Sequence, residues 1–227
     1  MSIDVIPVFC NEKNMANYAY IVTTNQTTIL IDAAESSPII TKLEQLNLKP
    51  SHILITHHHF DHVGGNTVLK QKYKLKIIAP EKEFSLVPEA DIAASENDPI
   101  IINDLTFNII DAPGHTLGHI LYYLKDENML FTGDVLFNLC IGGLFEGTIT
   151  QMSQTLKKIK KLPDNTLIFP GHEYTRSAIT PDLISAPNFN NYIHKMLQRE
   201  NGELAPTTLA EEKQFNPYLA SDTLANS

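Results

Sequence analysis

The amino-acid sequence predicts an α/β (α+β) fold in which two β-sheets are sandwiched between helices, with a small helical unit after them. Three observations lead there. Short apolar runs bounded by turn residues recur up to Phe169. They fall in two groups, with helical periodicity between them. After Gly171 the strand signals stop and helical ones take over. We therefore expect a metal-binding domain over residues 1–170 and a helical substrate-binding domain over 171–227.

The elements follow in order. Tyr18–Thr23 and Thr28–Asp32 are β-branched and aromatic runs that flank Asn25-Gln26, a hairpin pattern. Ser37-Pro38 opens a helix with Ile39, Ile40, Leu43 and Leu46 on one face. Ile53–Ile55 is a short buried strand, and a helix is expected from His62 to Lys72. Ile77–Ala79 is a strand closed by Pro80. Ile100–Ile102 with Leu105–Ile110, and Leu121–Leu124 with Met129–Thr132, read as two hairpins. Met152–Leu162 is an amphipathic helix and Leu167–Phe169 the final apolar strand. Asn190–Glu200 has helical spacing, and Thr208-Leu209-Ala210-Glu211 has the form of a capping box.

Composition sets outer bounds. The chain has 227 residues, 43% hydrophobic and 19% charged, with a formal charge of −9. Such values fit a globular protein with a normal core and argue against a nucleic-acid surface. No run approaches the roughly 18–20 apolar residues of a membrane span. Met1–Asn11 lacks a signal peptide's basic and apolar regions, and Cys10 and Cys140 make no disulfide framework. A cytoplasmic protein without nucleic-acid or membrane partners is expected, its oligomeric state open.

The chemistry lies in four places, each directly after a short apolar strand. Ile53-Leu54-Ile55 leads to His57, His59, Asp61 and His62. Phe107–Ile110 leads to His115, Met129-Leu130-Phe131 to Asp134, and Leu167-Ile168-Phe169 to His172. Loops held by rigid strands can converge on one cleft. Imidazole and carboxylate suit zinc, iron or manganese. In an extended segment His57 and His59 point the same way and can clasp one ion. A turn at Phe60 lets Asp61 and His62 face a second, with Asp134 a candidate bridge. Four ionisable groups within six positions have no packing rationale, because buried charge is costly unless paired or metal-bound. His58 is expected to point away, and His52, His119 and His194 to be structural. Asp32 reads equally as a ligand-orienting residue and as a plain turn aspartate.

Thr56–His62 followed by Gly64-Gly65-Asn66 resembles the signature of the metallo-β-lactamase superfamily. Pro113-Gly114-His115-Thr116, Thr132-Gly133-Asp134 and Pro170-Gly171-His172 match its remaining metal motifs in order, so the likeness spans residues 17 to 172. Within the superfamily the chain is similar to glyoxalase II, the hydroxyacylglutathione hydrolases. Leu144–Thr148, Gly171–Thr175, Thr207–Glu212 and Asn216-Pro217 carry that likeness. The resemblance implies a four-layered αββα sandwich. It implies two divalent transition-metal ions, zinc foremost and iron or manganese as alternatives. One would be held by His57, His59 and His115, the other by Asp61, His62 and His172, with Asp134 bridging. It implies hydrolysis of S-(2-hydroxyacyl)glutathione by metal-activated water, to which Asp61 could hydrogen-bond.

On the substrate side Tyr174 matches a glutathione-contacting tyrosine. Gly143 stands where a basic residue is usual, Phe145 where tyrosine is often found, and Ala220 where an arginine is expected. Arg176, Lys195 or Arg199 could supply the missing cation. The alternatives are hydrolysis of a non-glutathione thioester or a lactone, or a mononuclear-iron persulfide dioxygenase. The complete ligand set and the helical tail weigh against the dioxygenase.

Overall fold

The computed structural model describes residues 2–10, 15–96, 98–180, 189–198 and 205–220. The first sheet runs β1 (Asp4–Cys10), β2 (Asn17–Thr23), β3 (Thr28–Ile31), β4 (His52–Leu54), β5 (Lys76–Pro80) and β6 (Ile92–Ala94), in that spatial order. Its first three strands are antiparallel and the rest parallel. The crossovers are helical: α1 (Ser36–Gln45) between β3 and β4, then α2 (Phe60–Val63) and α3 (Asn66–Tyr73) between β4 and β5. The second sheet contains β7 (Ile100–Ile102), β8 (Leu105–Asp111), β9 (Ile120–Leu124) and β10 (Met129–Gly133), followed after a small hairpin by β13 (Leu167–Pro170). That hairpin is β11 (Leu136–Phe137) with β12 (Cys140–Ile141), and α4 (Ile149–Lys160) precedes β13.

Strand periodicity explains the layers. Side chains along a strand alternate between its faces. Tyr18, Tyr20 and Val22 of β2 point into a core shared with Phe107, Ile109, Tyr122, Phe131 and Phe169 of the second sheet. Ala19 and Ile21 point the other way, under Ile39 and Leu43 of α1 and Leu69 of α3. On the far side Leu121, Leu130 and Ile168 pack beneath Met152, Leu156 and Ile159 of α4. The result is helix, sheet, sheet, helix, as the sequence led us to expect.

Two details differ from the sequence reading. The helix expected over His62–Lys72 is two helices, broken at Gly64-Gly65. A Cβ on either glycine would stand 2.9 Å from the carbonyl oxygen of Ala34 or Ala33, so the loop after β3 leaves room for no side chain. The segment Asp4–Cys10, read only for a leader, is a full edge strand.

From residue 171 onward the described residues form α5 (Thr175–Ala178), α6 (Asn190–Leu197), the two-residue β14 (Thr207–Thr208), α7 (Leu209–Phe215) and α8 (Pro217–Ala220). The Thr208 capping box is formed with Glu211. β14 adds to the edge of the second sheet beside β13, and Leu209 and Leu219 enter the core under α4. The proposed division at residue 171 thus marks a change of secondary structure across a continuous core.

Glu212 ties this tail to the β11–β12 hairpin. Its carboxylate is fully buried and accepts from the Leu139 amide (3.2 Å), the Thr207 hydroxyl (2.8 Å) and the Asn216 side chain (3.0 Å). Burial outweighs these donors and pushes Glu212 up to about 7. The folded state then keeps this proton when the unfolded chain has lost it. The resulting stability is present below the unfolded pKa of about 4.3 and is lost as pH rises towards 7. Glu212→Gln can keep the same partners without an ionisation cost. In urea unfolding its stability relative to wild type should improve by about 2–3 kcal/mol between about pH 5 and pH 8.

Candidate metal centre

All seven sequence-predicted ligands meet at one edge of the two sheets. From the first sheet, the loop after β4 brings His57, His59, Asp61 and His62. From the second come His115, Asp134 and His172, after β8, β10 and β13. Six of the seven are buried, and His59 is partly exposed.

Each of four rings has one nitrogen fixed by an acceptor. His62 Nδ1 donates to Asp32 Oδ2 (2.8 Å), His115 Nδ1 to the Gly143 carbonyl (2.7 Å) and His172 Nδ1 to the Met15 carbonyl (2.7 Å). Thr56 gives its hydroxyl proton to Asp32 (2.9 Å), so its oxygen is free to accept from His57 Nδ1 (3.1 Å). Every Nε2 of these rings is thereby left as a bare lone pair when the ring is neutral. This is the arrangement that outer partners impose on metal-binding histidines.

The inward atoms crowd together. His62 Nε2 lies 3.2 Å from His172 Nε2 and 3.2 Å from Asp134 Oδ1. His115 Nε2 is 2.9 Å from His59 Nδ1 and 3.4 Å from Asp134 Oδ2. His172 Nε2 is 3.2 Å from Asp134 Oδ2 and 3.3 Å from Asp61 Oδ2. Lone pairs facing each other at such distances repel unless a proton or a cation lies between them. His57 Nε2, fully buried, has no hydrogen-bond partner among the described residues. Donor atoms of His57, His59 and His115 lie within 4.8 Å of one another, as do those of Asp61, His62 and His172, and of His57, His62 and Asp134. The residues fit divalent metal ions.

Electrostatics divides the site. Burial, then the neighbouring His62 charge, holds His57 well below its ordinary pKa, and burial also lowers His59 and His115. Burial opposes charge on His62 and His172 too, but carboxylates win. Asp134 and Asp32 hold His62 well above its usual value, and Asp134 and Asp61 raise His172 to about 9. Burial likewise disfavours ionised Asp134, yet His62 and His172 keep it well below the carboxylate range. Burial thus favours the neutral, metal-binding form of His57, His59 and His115, while the carboxylates favour protonated His62 and His172, whose protons a bound cation would displace.

Several supporting residues escaped the sequence reading. Asn17 Nδ2 donates to Asp61 Oδ2 (2.9 Å) and to the Asp61 carbonyl (3.1 Å). His119, read as merely structural, stacks on His57 at 4.8 Å and accepts the Asp134 amide at 3.1 Å. The Gly-His-Thr-Leu-Gly-His string around it was the available signal. Asp32, left open, is an orienting residue through Thr56 and His62. His58 turns away, as expected, towards Glu83 and Glu146.

A cavity of about 290 Å³ opens over the ligands, walled by Met15, Phe137, Gly142, Gly143, Phe145 and Tyr174. Tyr174 stacks on His172 at 4.7 Å, and Phe145 stands 5.3 Å from His59. Gly142 passes so close that a Cβ would lie 1.7 Å from the Asp134 carbonyl oxygen. Arg176 is exposed on α5 and does not line this cavity. Arg199 and the Lys195 side chain lie outside the described residues. Burial pushes the Cys140 thiol up to about 12.

The metallo-β-lactamase superfamily model matches residues 14–172. A hydroxyacylglutathione hydrolase of Rhodopseudomonas palustris is 38% identical over 214 residues, covering 91% of this chain and 84% of its own. That of Pelagibacter ubique is 39% identical over 218 residues, covering 92% and 91%. Among solved structures the BLEG-1 B3 metallo-β-lactamase superposes with a TM-score of 0.76 at 23% identity, over 97% of this chain and 100% of that one, a likeness of fold.

Asp32 touches no inward atom of the site except through His62 and Thr56. Asp32→Ala should weaken divalent-ion binding by roughly 10–100-fold, read by chelator competition.

Proposed function

The chain belongs to the metallo-β-lactamase superfamily and, within it, to the hydroxyacylglutathione hydrolases, and from that membership we propose how its metal centre works on a thioester. The protein is a metal-dependent hydrolase of the glyoxalase II type. Its substrate is an S-(2-hydroxyacyl)glutathione such as S-lactoylglutathione, cleaved to glutathione and a 2-hydroxy acid. The observation that carries this reading is the bare, buried His57 Nε2 within a complete set of seven inward-facing ligands, in a chain 38% identical to such an enzyme.

His57, His59 and His115 would hold one ion and Asp61, His62 and His172 the other, with Asp134 shared. Asp134 supports the shared role by lying within 3.4 Å of ring nitrogens from both groups. Zinc is the ion we favour, with iron and manganese accepted by the same donors. Bound ions supply a nucleophilic water near neutral pH and a field that stabilises the negative charge developing on the thioester carbonyl oxygen.

The chain's own groups do the rest. Asp32, Gly143 and Met15 hold the rings so that the ligand geometry is set before substrate arrives. Asp61, fixed by Asn17, presents a carboxylate to the attacking water. A thiolate leaves readily, so no strong acid is required opposite it. Phe145, Tyr174 and Gly143 line the cavity, Gly143 leaving room beside the Phe145 ring, and we assign these three to the substrate's grip. We give the helical segment from residue 171 the thiol-carrier side, Arg176 being its candidate cation. Cys10 and Cys140 are both free thiols, which supports a cytoplasmic setting. Among the described residues no helix is long and apolar enough to cross a membrane.

A thioester panel tests the reading. Glutathione thioesters should be hydrolysed faster than coenzyme A or simple alkyl thioesters, activity should vanish on chelation and return with added zinc. Preference for another thiol carrier would overturn the substrate assignment. Asp134→Ala should lower kcat/KM by about 10³-fold or more and leave fewer than two ions per chain by metal analysis.

A further inference from the structure

Outside the ligand set, one buried carboxylate joins the two loops that carry the first cluster. Glu83, in the 3-10 turn after β5, is 2% exposed. It accepts the His58 amide (2.8 Å), the Gly118 amide (2.9 Å), the Thr116 hydroxyl and His58 Nδ1 (2.9 Å). It thus ties the loop of His57–His62, from the first sheet, to the loop of His115, from the second. The chain of contacts continues outward. His58 Nε2 lies 3.3 Å from Glu146 Oε1, and Glu146 Oε2 accepts the Leu117 amide at 3.1 Å. The amides of Phe145 and Glu146 both donate to the His115 carbonyl, at 3.2 and 3.3 Å. Phe145 is 74% exposed to solvent, and its ring centroid lies 5.3 Å from that of His59 and 5.1 Å from that of His115. An aromatic ring so open has little packing of its own to keep it there.

We propose that Glu83, His58 and Glu146 form a positioning chain that holds Phe145 over His59 and His115 and thereby sets how tightly the substrate is gripped. None of the three touches the reacting atoms. The kinetic half of this proposal rests on the thioester reading; the structural half does not.

Glu146 is the member to change, since its side chain is 35% exposed and its loss leaves no buried charge. Glu146→Ala should speed hydrogen exchange of the amides at positions 145 and 146 by about tenfold, measured on the metal-loaded protein. The same variant should raise KM for S-lactoylglutathione by about three- to tenfold with kcat within about twofold, the pattern of lost grip. Glu146→Gln should restore both. Its amide oxygen can accept from Leu117 and its amide nitrogen can donate to His58 Nε2. In a Phe145→Ala background, Glu146→Ala should leave KM unchanged, because the ring it positions is gone. Unaltered exchange in Glu146→Ala, a fall in kcat with KM unmoved, or no recovery with glutamine would each overturn the proposal. Should the wild type turn over no thioester while exchange responds as expected, the thioester reading fails and the positioning chain stands.

Discussion

Asp134 and Asp61 are almost wholly withdrawn from water and faced by histidine rings. An ionised carboxylate in such a place costs several kcal/mol unless cations or donors meet it. Around Asp134 the nearest groups are ring nitrogens of His62, His115 and His172. Those rings are buried as well, so their charge has no solvent outlet. The molecule answers by giving the outer nitrogens of His57, His62, His115 and His172 an acceptor from the backbone or from Asp32 and Thr56. What remains at the centre is a set of lone pairs and negative oxygens that only protons or metal ions can reconcile. The placement of the loops, the glycine at 142 and the turns after the strands all serve that arrangement.

The clustered histidines and aspartates come from both sheets, so the spacing between the sheets governs the spacing within the cluster. Two buried tyrosines cross the gap in opposite directions. The Tyr20 hydroxyl, from β2, donates to the Pro170 carbonyl just before His172, at 2.6 Å. The Tyr122 hydroxyl, from β9, donates to the Ile55 carbonyl just before His57, at 2.9 Å. Phe131 and Phe169 fill the space beside Tyr20. Hydrogen bonds from within a close-packed core fix position more sharply than apolar contact alone. Glu83 repeats the tie at the rim.

The convergence of the seven His and Asp residues was legible because each group follows an apolar strand and because their density has no packing rationale. The layers were legible from alternation, as in Tyr18, Tyr20 and Val22 against Ala19 and Ile21. What escaped was the long-range polar support. Nothing local marks Asn17 as the partner of Asp61, or Glu83 as the link between two loops; such pairings are properties of the closed fold. The break at Gly64-Gly65 is of the same kind, set by a loop more than twenty-nine positions earlier in the chain. Edge strands such as β6 (Ile92–Ala94) are too short to carry a periodic signal.

One feature joins the beginning of the chain to the end of the site. Asn17 and His172 form an isolated bridge, the Tyr18 amide donates to the Gly171 carbonyl at 2.8 Å, and His172 leans on the Met15 carbonyl. During synthesis the first hairpin and the other six residues of the cluster leave the ribosome before His172 does. Until then the cluster of Asp61 and His62 lacks its His172 wall, and Asn17 lacks its bridge partner. The wall of the Asp61, His62 and His172 cluster is thus completed by a segment 155 positions beyond Asn17, and the two ends of the domain are locked together at its most polar point.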